Sequence, residues 1–360
     1  MRRPPRTLSA ARAAVLRPRL DALDAGTDRA RRIGFDPVEF PRRYRDPGDQ
    51  EVVGLVAASL AYGRADVFKP VLERVLTRMG PSPAGFADAF ARAPGAAAFE
   101  GFLYRFNRPA DVAALVAAVG DVRRRHGSLG ARFAALFHAE GGAPGALRPA
   151  LARFAGELRG APPVGRLLAH RGPRGLLHLL PDPAGPGACK RWNLYLRWMV
   201  RGPDEVDLGA WRGVPASALV VPLDTHVLRI ARCLGLTARR DATWRTAEEI
   251  TAGLRRLDPA DPVRYDFALC HLGMSGACPA PRPARRSRDR SEGKPARRPE
   301  DGSEGRPARR APERCEECPL RGVCLAGRAA PRRRRSLKAA PSRREAAAPE
   351  AARTATAGRS

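Results

Sequence analysis

Two ionisable side chains stand at the points where helices begin. Lys190 opens the run KRWNLYLRWMVR after the loop LPDPAGPGA, and Asp224 ends the apolar stretch VVPLD just ahead of THVLRIARCLGL. An aspartate before apolar residues at helical spacing (Val227, Ile230, Ala231, Leu234) is first of all an N-cap, with Gly235 as the matching stop. Held ionised by the helix N-terminus, the same carboxylate can also stabilise growing positive charge or activate an attacking group. Only four of the 65 basic residues are lysines: Lys69, Lys190, Lys294 and Lys338. Arginine can make every phosphate contact in such a chain, but a Schiff base needs a deprotonated amine, which arginine does not supply. The helix dipole is expected to push the Lys190 amine below its usual range, toward the neutral nucleophile.

A second chemistry lies downstream. Cys315-x2-Cys318-x5-Cys324 gathers three thiols in a short segment, and Cys278, just after the last helical pattern, supplies a fourth. Four thiolates at this spacing suit an iron-sulfur cluster or a structural zinc ion. Cys270, two helical turns before Cys278, reads as a core thiol, and Cys189 and Cys233 carry no ligand pattern. No apolar run reaches the length of a membrane span, and the N-terminus has arginines but no apolar core or cleavage site. The expectation is a cytoplasmic, reducing location, with the seven cysteines as ligands or core thiols rather than disulfides.

The chain carries a formal net charge of +28, which points toward a polyanion. Residues 1–32, 279–314 and 325–360 hold +6, +6 and +8 of it, leaving about +8 for the remainder. Within the remainder, Arg197, Arg201, Arg229 and Arg232 fall on helices near Lys190 and Asp224, as candidates for phosphate contacts that position a duplex. A solvated helix face is the plainer reading of each. His226 reads as a packing residue.

The elements that must position these residues read as helices throughout, and period-two alternation is nearly absent. Residues 51–80 give two helices with a break at 62–66. Further helices are expected at 111–125, 129–140, 146–158, 189–201 and 244–257. Asp261-Pro262 has the form of a cap and first-turn proline opening a helix that ends near Gly273. On the 189–201 helix, Trp192, Tyr195, Leu196 and Met199 share a core face, and Lys190, Asn193, Arg197 and Arg201 share another. Residues 1–32 form a weakly patterned basic segment and 33–278 an all-α domain. Residues 279–314 carry the duplication SEGKPARR/SEGRPARR and read as a disordered insertion. Residues 315–324 form the cysteine loop that completes the domain, and 325–360 a disordered basic tail.

Taken together, these motifs resemble the endonuclease III branch of the helix-hairpin-helix DNA glycosylases. That branch carries a V-D-T-H motif with a catalytic aspartate, similar to Leu223-Asp224-Thr225-His226. A C-x6-C-x2-C-x5-C motif follows and wraps a [4Fe-4S] cluster; its last two intervals recur here, and its first is lengthened by the arginine-rich repeat. The stretches DPVEFPRRY, SLAYGR, CKRWNLYLRWMVR, VPLDTHVLRIARCLGL and DPVRYDFALCHLG resemble a bacterial family of unknown function distantly related to these enzymes. The L-P-G-V-G hairpin of the glycosylases is not reproduced, and Lys190 comes later than their catalytic lysine. The resemblance implies a two-lobed helical fold and a [4Fe-4S] cluster (zinc as the alternative) on Cys278, Cys315, Cys318 and Cys324. It also implies a monomer acting on duplex DNA at the nucleoid, with Lys190 and Asp224 removing a flipped base and cleaving the strand. A DNA-binding iron-sulfur protein of the same fold without catalysis is the alternative, and action on something other than DNA is a third.

Overall fold

The structure is a computed structural model that describes residues 8–278 and 318–325. Among these residues it contains helices and no strand. The insertion 279–314 and the tail expected beyond residue 325 lie outside the described residues.

Helix α1 (Ala10–Ala25) is capped by Ser9, whose hydroxyl accepts the Arg12 N–H, and α2 (Arg29–Ile33) is capped by Asp28. Residues 8–32 are not an appendage. Leu16 and Leu20 of α1 are fully buried, and the Tyr265 hydroxyl donates to Asp21 at 2.7 Å. The weak pattern of this segment reflects a narrow buried stripe among arginines. Two 3-10 turns, Pro37–Glu39 and Pro41–Arg43, then lead into α3 (Pro47–Leu60), capped by Asp46.

Helix α3 is buried all round from Val52 to Leu60, which makes it a core helix. After it come α4 (Ala65–Met79), α5 (Pro83–Phe90) and α6 (Pro109–His126), and α6 is buried continuously from Ala110 to Gly120. A Cβ on Gly120 would stand 1.9 Å from the Ala87 carbonyl oxygen, so only glycine lets α5 and α6 approach so closely. Around this centre stand α7 (Leu129–Ala139), α8 (Leu147–Arg159), α9 (Pro162–Leu168) and α10 (Arg174–Leu179). The remaining helices are α11 (Lys190–Val200), α12 (Thr225–Leu234), α13 (Trp244–Arg255) and α14 (Asp266–Met274).

A buried carboxylate ties several of these together. Glu51 on α3 accepts the Leu129 and Gly130 amides of α7 at 3.1 Å each, the Trp211 indole N–H at 3.1 Å, and the Arg123 guanidinium of α6. Every lone pair of the carboxylate meets a donor, so the knot is both costly to break and specific in register.

The helices expected at 51–80, 111–125, 129–140, 146–158, 189–201 and 244–257 stand close to their expected places. The last helix differs. It begins at Asp266 with Tyr265 at its cap position, because the Asp261 carboxylate is taken by the Arg201 guanidinium at 2.7 Å instead of capping a helix.

Candidate active site

Lys190 and Asp224 are brought together. Asp224 is the N-cap of α12: its Oδ1 accepts the His226 and Val227 amides at 2.8 Å each. Its Oδ2 accepts the Lys190 ammonium at 3.0 Å and faces the Cys270 thiol at 3.7 Å. Cap and site use one carboxylate, a separate oxygen for each.

Lys190 reaches this point because the chain turns sharply before α11. Cys189 has φ 49° and ψ 40°, the left-handed region that a residue with a Cβ rarely adopts. The loop before it is pinned at both ends: Trp244 donates its backbone N–H to the Pro186 carbonyl at 3.2 Å, and the Asn193 amide donates to the Ala188 carbonyl at 3.1 Å.

The electrostatics correct one expectation. Burial pushes the Lys190 ammonium toward its neutral form, but the Asp224 carboxylate outweighs it and holds the group well above the usual lysine range. The dipole of α11 does not make it a free amine, because a full charge at 3.0 Å exceeds the partial charge of a helix end. Burial likewise raises the Asp224 carboxyl, and Lys190 with the Val227 amide more than offsets it, so that its value falls below the ordinary one.

The pair lies in a cleft of about 490 Å³, a volume in the range of small-ligand sites. Segments far apart in sequence line it: Phe35–Pro37, the end of α3 with Tyr62, the face of α11, Pro222–His226 and the face of α14. Its lining is part polar, with Lys190, Asp224, Asp36, Asp266 and Arg197, and part apolar, with Phe35, Tyr62, Phe68, Leu194 and Met274. Phe35 and Met274 are 55% and 46% exposed, so the apolar rim opens to solvent. Tyr62 is fixed by a 2.6 Å hydrogen bond from its hydroxyl to Asn107, and the Arg191 guanidinium sits 5.5 Å from its ring centre. A second hollow of about 580 Å³, around Arg125, Arg153 and Glu157, holds no comparable acid–amine pair.

Asp36, Asp266, Tyr62 and Arg191 were not expected in the site. For one of them, Asp266, the only sequence signal is helical spacing with other lining residues. On α14, Asp266, Cys270 and Met274 recur at steps of four, and on α11, Lys190, Leu194 and Arg197 follow at steps of four and three; each set lines the cleft. Asp36 caps its 3-10 turn through the Val38 amide at 2.9 Å and turns its other oxygen to His271 Nε2 at 3.6 Å. Burial raises its carboxyl, and His271 with Arg197 brings it below the ordinary value. Asp266 goes the other way: burial lifts it to about 6 against the pull of Arg197.

The four arginines separate. Arg197 is 2% exposed, with Nε on Asp207 at 3.1 Å and Nη1 on Asp266, so it is not part of a surface that could follow a phosphate backbone. Its place on a nominally basic face hid this, because its two carboxylate partners come from other segments. Arg201 is held by Asp261 at 2.7 Å, Asp207 at 2.9 Å and Asp204. Arg229 donates to the Gly273 carbonyl at 2.8 Å, and Arg232 is half-buried with no side-chain hydrogen bond or ion pair among the described residues. His226 packs against α14: a Cβ on Gly273 would stand 2.6 Å from the His226 Cβ.

Of the expected metal ligands, Cys278, Cys318 and Cys324 are buried, and Cys315 lies outside the described residues. Cys233, at the end of α12, joins them: its thiol hydrogen-bonds with those of Cys278 and Cys324, and Cys318 does so with Cys278. No sequence spacing announced Cys233, because its proximity comes from the packing of residues 318–325 on the end of α12. The Leu325 N–H donates to the Cys233 carbonyl at 2.7 Å, and Arg12 of α1 donates to the carbonyls of Leu234 and Val323. Among the described residues, no three His, Cys, Asp or Glu side chains are arranged to hold a metal ion. Cys270 belongs to the cleft, and the Cys189 thiol faces the Asp182 carbonyl at 3.7 Å.

No helix among the described residues is long and apolar enough to cross a membrane. A family model described as "Protein of unknown function (DUF2400)" matches residues 36–275, a span that contains Asp36, Lys190, Asp224 and Asp266. No curated protein and no solved structure matches the chain.

Proposed function

Because the chain belongs to the DUF2400 family of unknown function, its role must be argued from the cleft, and we propose that it is a DNA base-excision glycosylase with AP-lyase activity. The observation that carries this reading is the 3.0 Å contact between Lys190 Nζ and Asp224 Oδ2 in a cleft of nucleotide size. A base inside a duplex is out of reach, so the nucleotide would be extruded into the cleft.

With the deoxyribose beside the pair, Lys190 passes a proton to the adjacent Asp224 and becomes the neutral amine. Nζ attacks C1′, and the electron pair of the C1′–N bond leaves with the base, which takes up a proton. An Nζ proton passes to O4′ as the sugar ring opens to the iminium between Nζ and C1′, and Asp224, having given its proton to the departing base, takes the C2′ proton as the 3′ phosphate leaves. Desolvation in the cleft strengthens each of these electrostatic effects.

The basic chain, with Arg229 and Arg232 on α12, would supply phosphate contacts. Cys278, Cys315, Cys318 and Cys324 would hold a [4Fe-4S] cluster or a structural zinc ion. Such a group would supply structural support and DNA positioning, without a redox step. What supports this is donor type alone: Cys278, Cys318 and Cys324 are buried thiols, the sulfur ligands such a group takes.

A DNA-binding protein of the same architecture without catalysis is the second reading. What favours it is the resting charge of Lys190, which is held as the non-nucleophilic ammonium. Borohydride separates the two. Wild-type protein with abasic-site DNA is expected to give a covalent adduct that Lys190→Ala abolishes. Salt-sensitive DNA binding without any adduct or base release would favour the second reading, and an undiminished adduct in the Lys190→Ala protein would remove Lys190 from the mechanism.

A further inference from the structure

The floor of the cleft holds a donor and an acceptor with nothing to bond to. Arg197 Nη2 and Asp266 Oδ1 are both buried and without a hydrogen-bond partner among the described residues. The other polar atoms of the same two side chains are engaged: Arg197 Nε with Asp207 at 3.1 Å, and Arg197 Nη1 with Asp266 Oδ2. The side chains are 2% and 3% exposed, and both line the cleft. The two atoms flank one ion pair, Arg197 Nη1 on Asp266 Oδ2, so they lie near each other without bonding each other.

Leaving a buried charged group short of a partner is costly, and folded proteins rarely do so without a use for it. Lys190 and Asp224 satisfy each other and Asp36 accepts the Val38 amide, so among the charged side chains of the cleft it is Arg197 and Asp266 that keep a buried atom unpartnered among the described residues. The apolar lining residues Phe35, Tyr62 and Met274 suit a flat ring. A planar heterocycle lodged between them would turn one edge to the floor.

We propose that Arg197 and Asp266 read the edge of the base in the cleft, and that they select a ring bearing a carbonyl oxygen next to a ring N–H. The inference rests on the glycosylase reading for the ligand being a base. Nη2 only donates, so it requires an acceptor, and a carbonyl oxygen is the strongest one a base offers to a guanidinium. The ionised Oδ1 only accepts, so it requires an N–H, and the ring N–H of a lactam or imide is a stronger donor than an exocyclic amino group. Uracil, thymine, hypoxanthine and guanine present this edge. Adenine and cytosine meet the same pair only with a ring nitrogen and an amino group. A methyl on the ring nitrogen would remove the proton and press carbon against the carboxylate.

The test uses the full chain and duplexes whose glycosidic bond resists cleavage. One set carries a single 2′-fluoro-2′-deoxyuridine or its N3-methyl derivative, the other 2′-fluoro-2′-deoxyinosine or its N1-methyl derivative, with affinities read by fluorescence anisotropy. At least one unmethylated duplex is expected to bind about tenfold or more tightly than its methylated twin, and Asp266→Asn is expected to erase that difference. Equal affinities within both pairs would overturn the proposal, and the methyl comparison needs no variant to fold. A Lys190 adduct on abasic DNA with no methyl discrimination would sink the edge reading and leave the lyase intact. Discrimination without an adduct would do the reverse.

Discussion

Lys190 does not sit as a free amine awaiting a sugar. Its 3.0 Å contact with Asp224 makes the resting state an ion pair, and the nucleophile exists only after the proton crosses that contact. This is open to measurement, because the chain has four lysines and dimethylation would give four resolvable sets of signals. In the wild-type protein the Lys190 signal is expected to remain that of the ammonium at about pH 10.4, where an ordinary lysine is half titrated. In Asp224→Asn the counter-charge is gone while the burial remains, so the midpoint is expected to fall to about 10.4 or below. A Lys190 signal that titrates alike in both proteins would mean that the carboxylate does not govern the amine. The pair itself is legible in the sequence, because each member begins a helix and caps and first turns are marked by residue type. Asp36 and Asp266 are not. One reads as the cap of a short turn and the other as a polar residue in the apolar run VRYDFALCHLG, and only tertiary packing brings them to Lys190.

At the scale of elements, the cleft exists because α12 and α14 lie against each other without a side chain between them at Gly273. A Cβ there would meet the His226 Cβ at 2.6 Å, and neither carbon is the end of a flexible chain that can swing aside. Gly273→Ala must therefore push α14 away from the N-terminus of α12, where Asp224 is anchored by two amides. The expected cost is about 1–3 kcal/mol in urea unfolding, the usual range for overpacking. The same shift is expected to lower borohydride trapping by more than the loss of folded protein accounts for. Trapping that falls only in step with stability would make the α12–α14 contact structural alone. Amphipathic periodicity made several helices legible, α4, α8 and α11 among them. It did not reveal the start of α14, where a cap signature at Asp261-Pro262 was overridden by the ion pair from Arg201, nor the burial of Arg197, whose partners Asp207 and Asp266 come from outside its helix.

Across the whole molecule, the N-terminal helix and the cysteine segment meet at the end of α12, though they are nearly the full chain apart in sequence. Arg12 joins them: its guanidinium donates to the carbonyl of Leu234 at the last turn of α12 and to that of Val323 in the cysteine segment. Leu16 and Leu20 bury the adjoining face of α1, and Leu325 completes the joint through its N–H on the Cys233 carbonyl at 2.7 Å. Charge counting gave residues 1–32 the look of a basic arm, because arginines on the exposed face outnumber the few leucines that carry the packing. If α1 clamps the cysteine segment, residues 1–25 matter to the thiols that they never touch in sequence. Protein lacking residues 1–25 is expected to retain less iron or zinc per chain after anaerobic purification than the full chain, and Arg12→Gln is expected to show part of the loss with the fold intact. Equal metal content in all three proteins would show that the cysteine segment holds its place without α1, through Leu325 and the buried thiols alone.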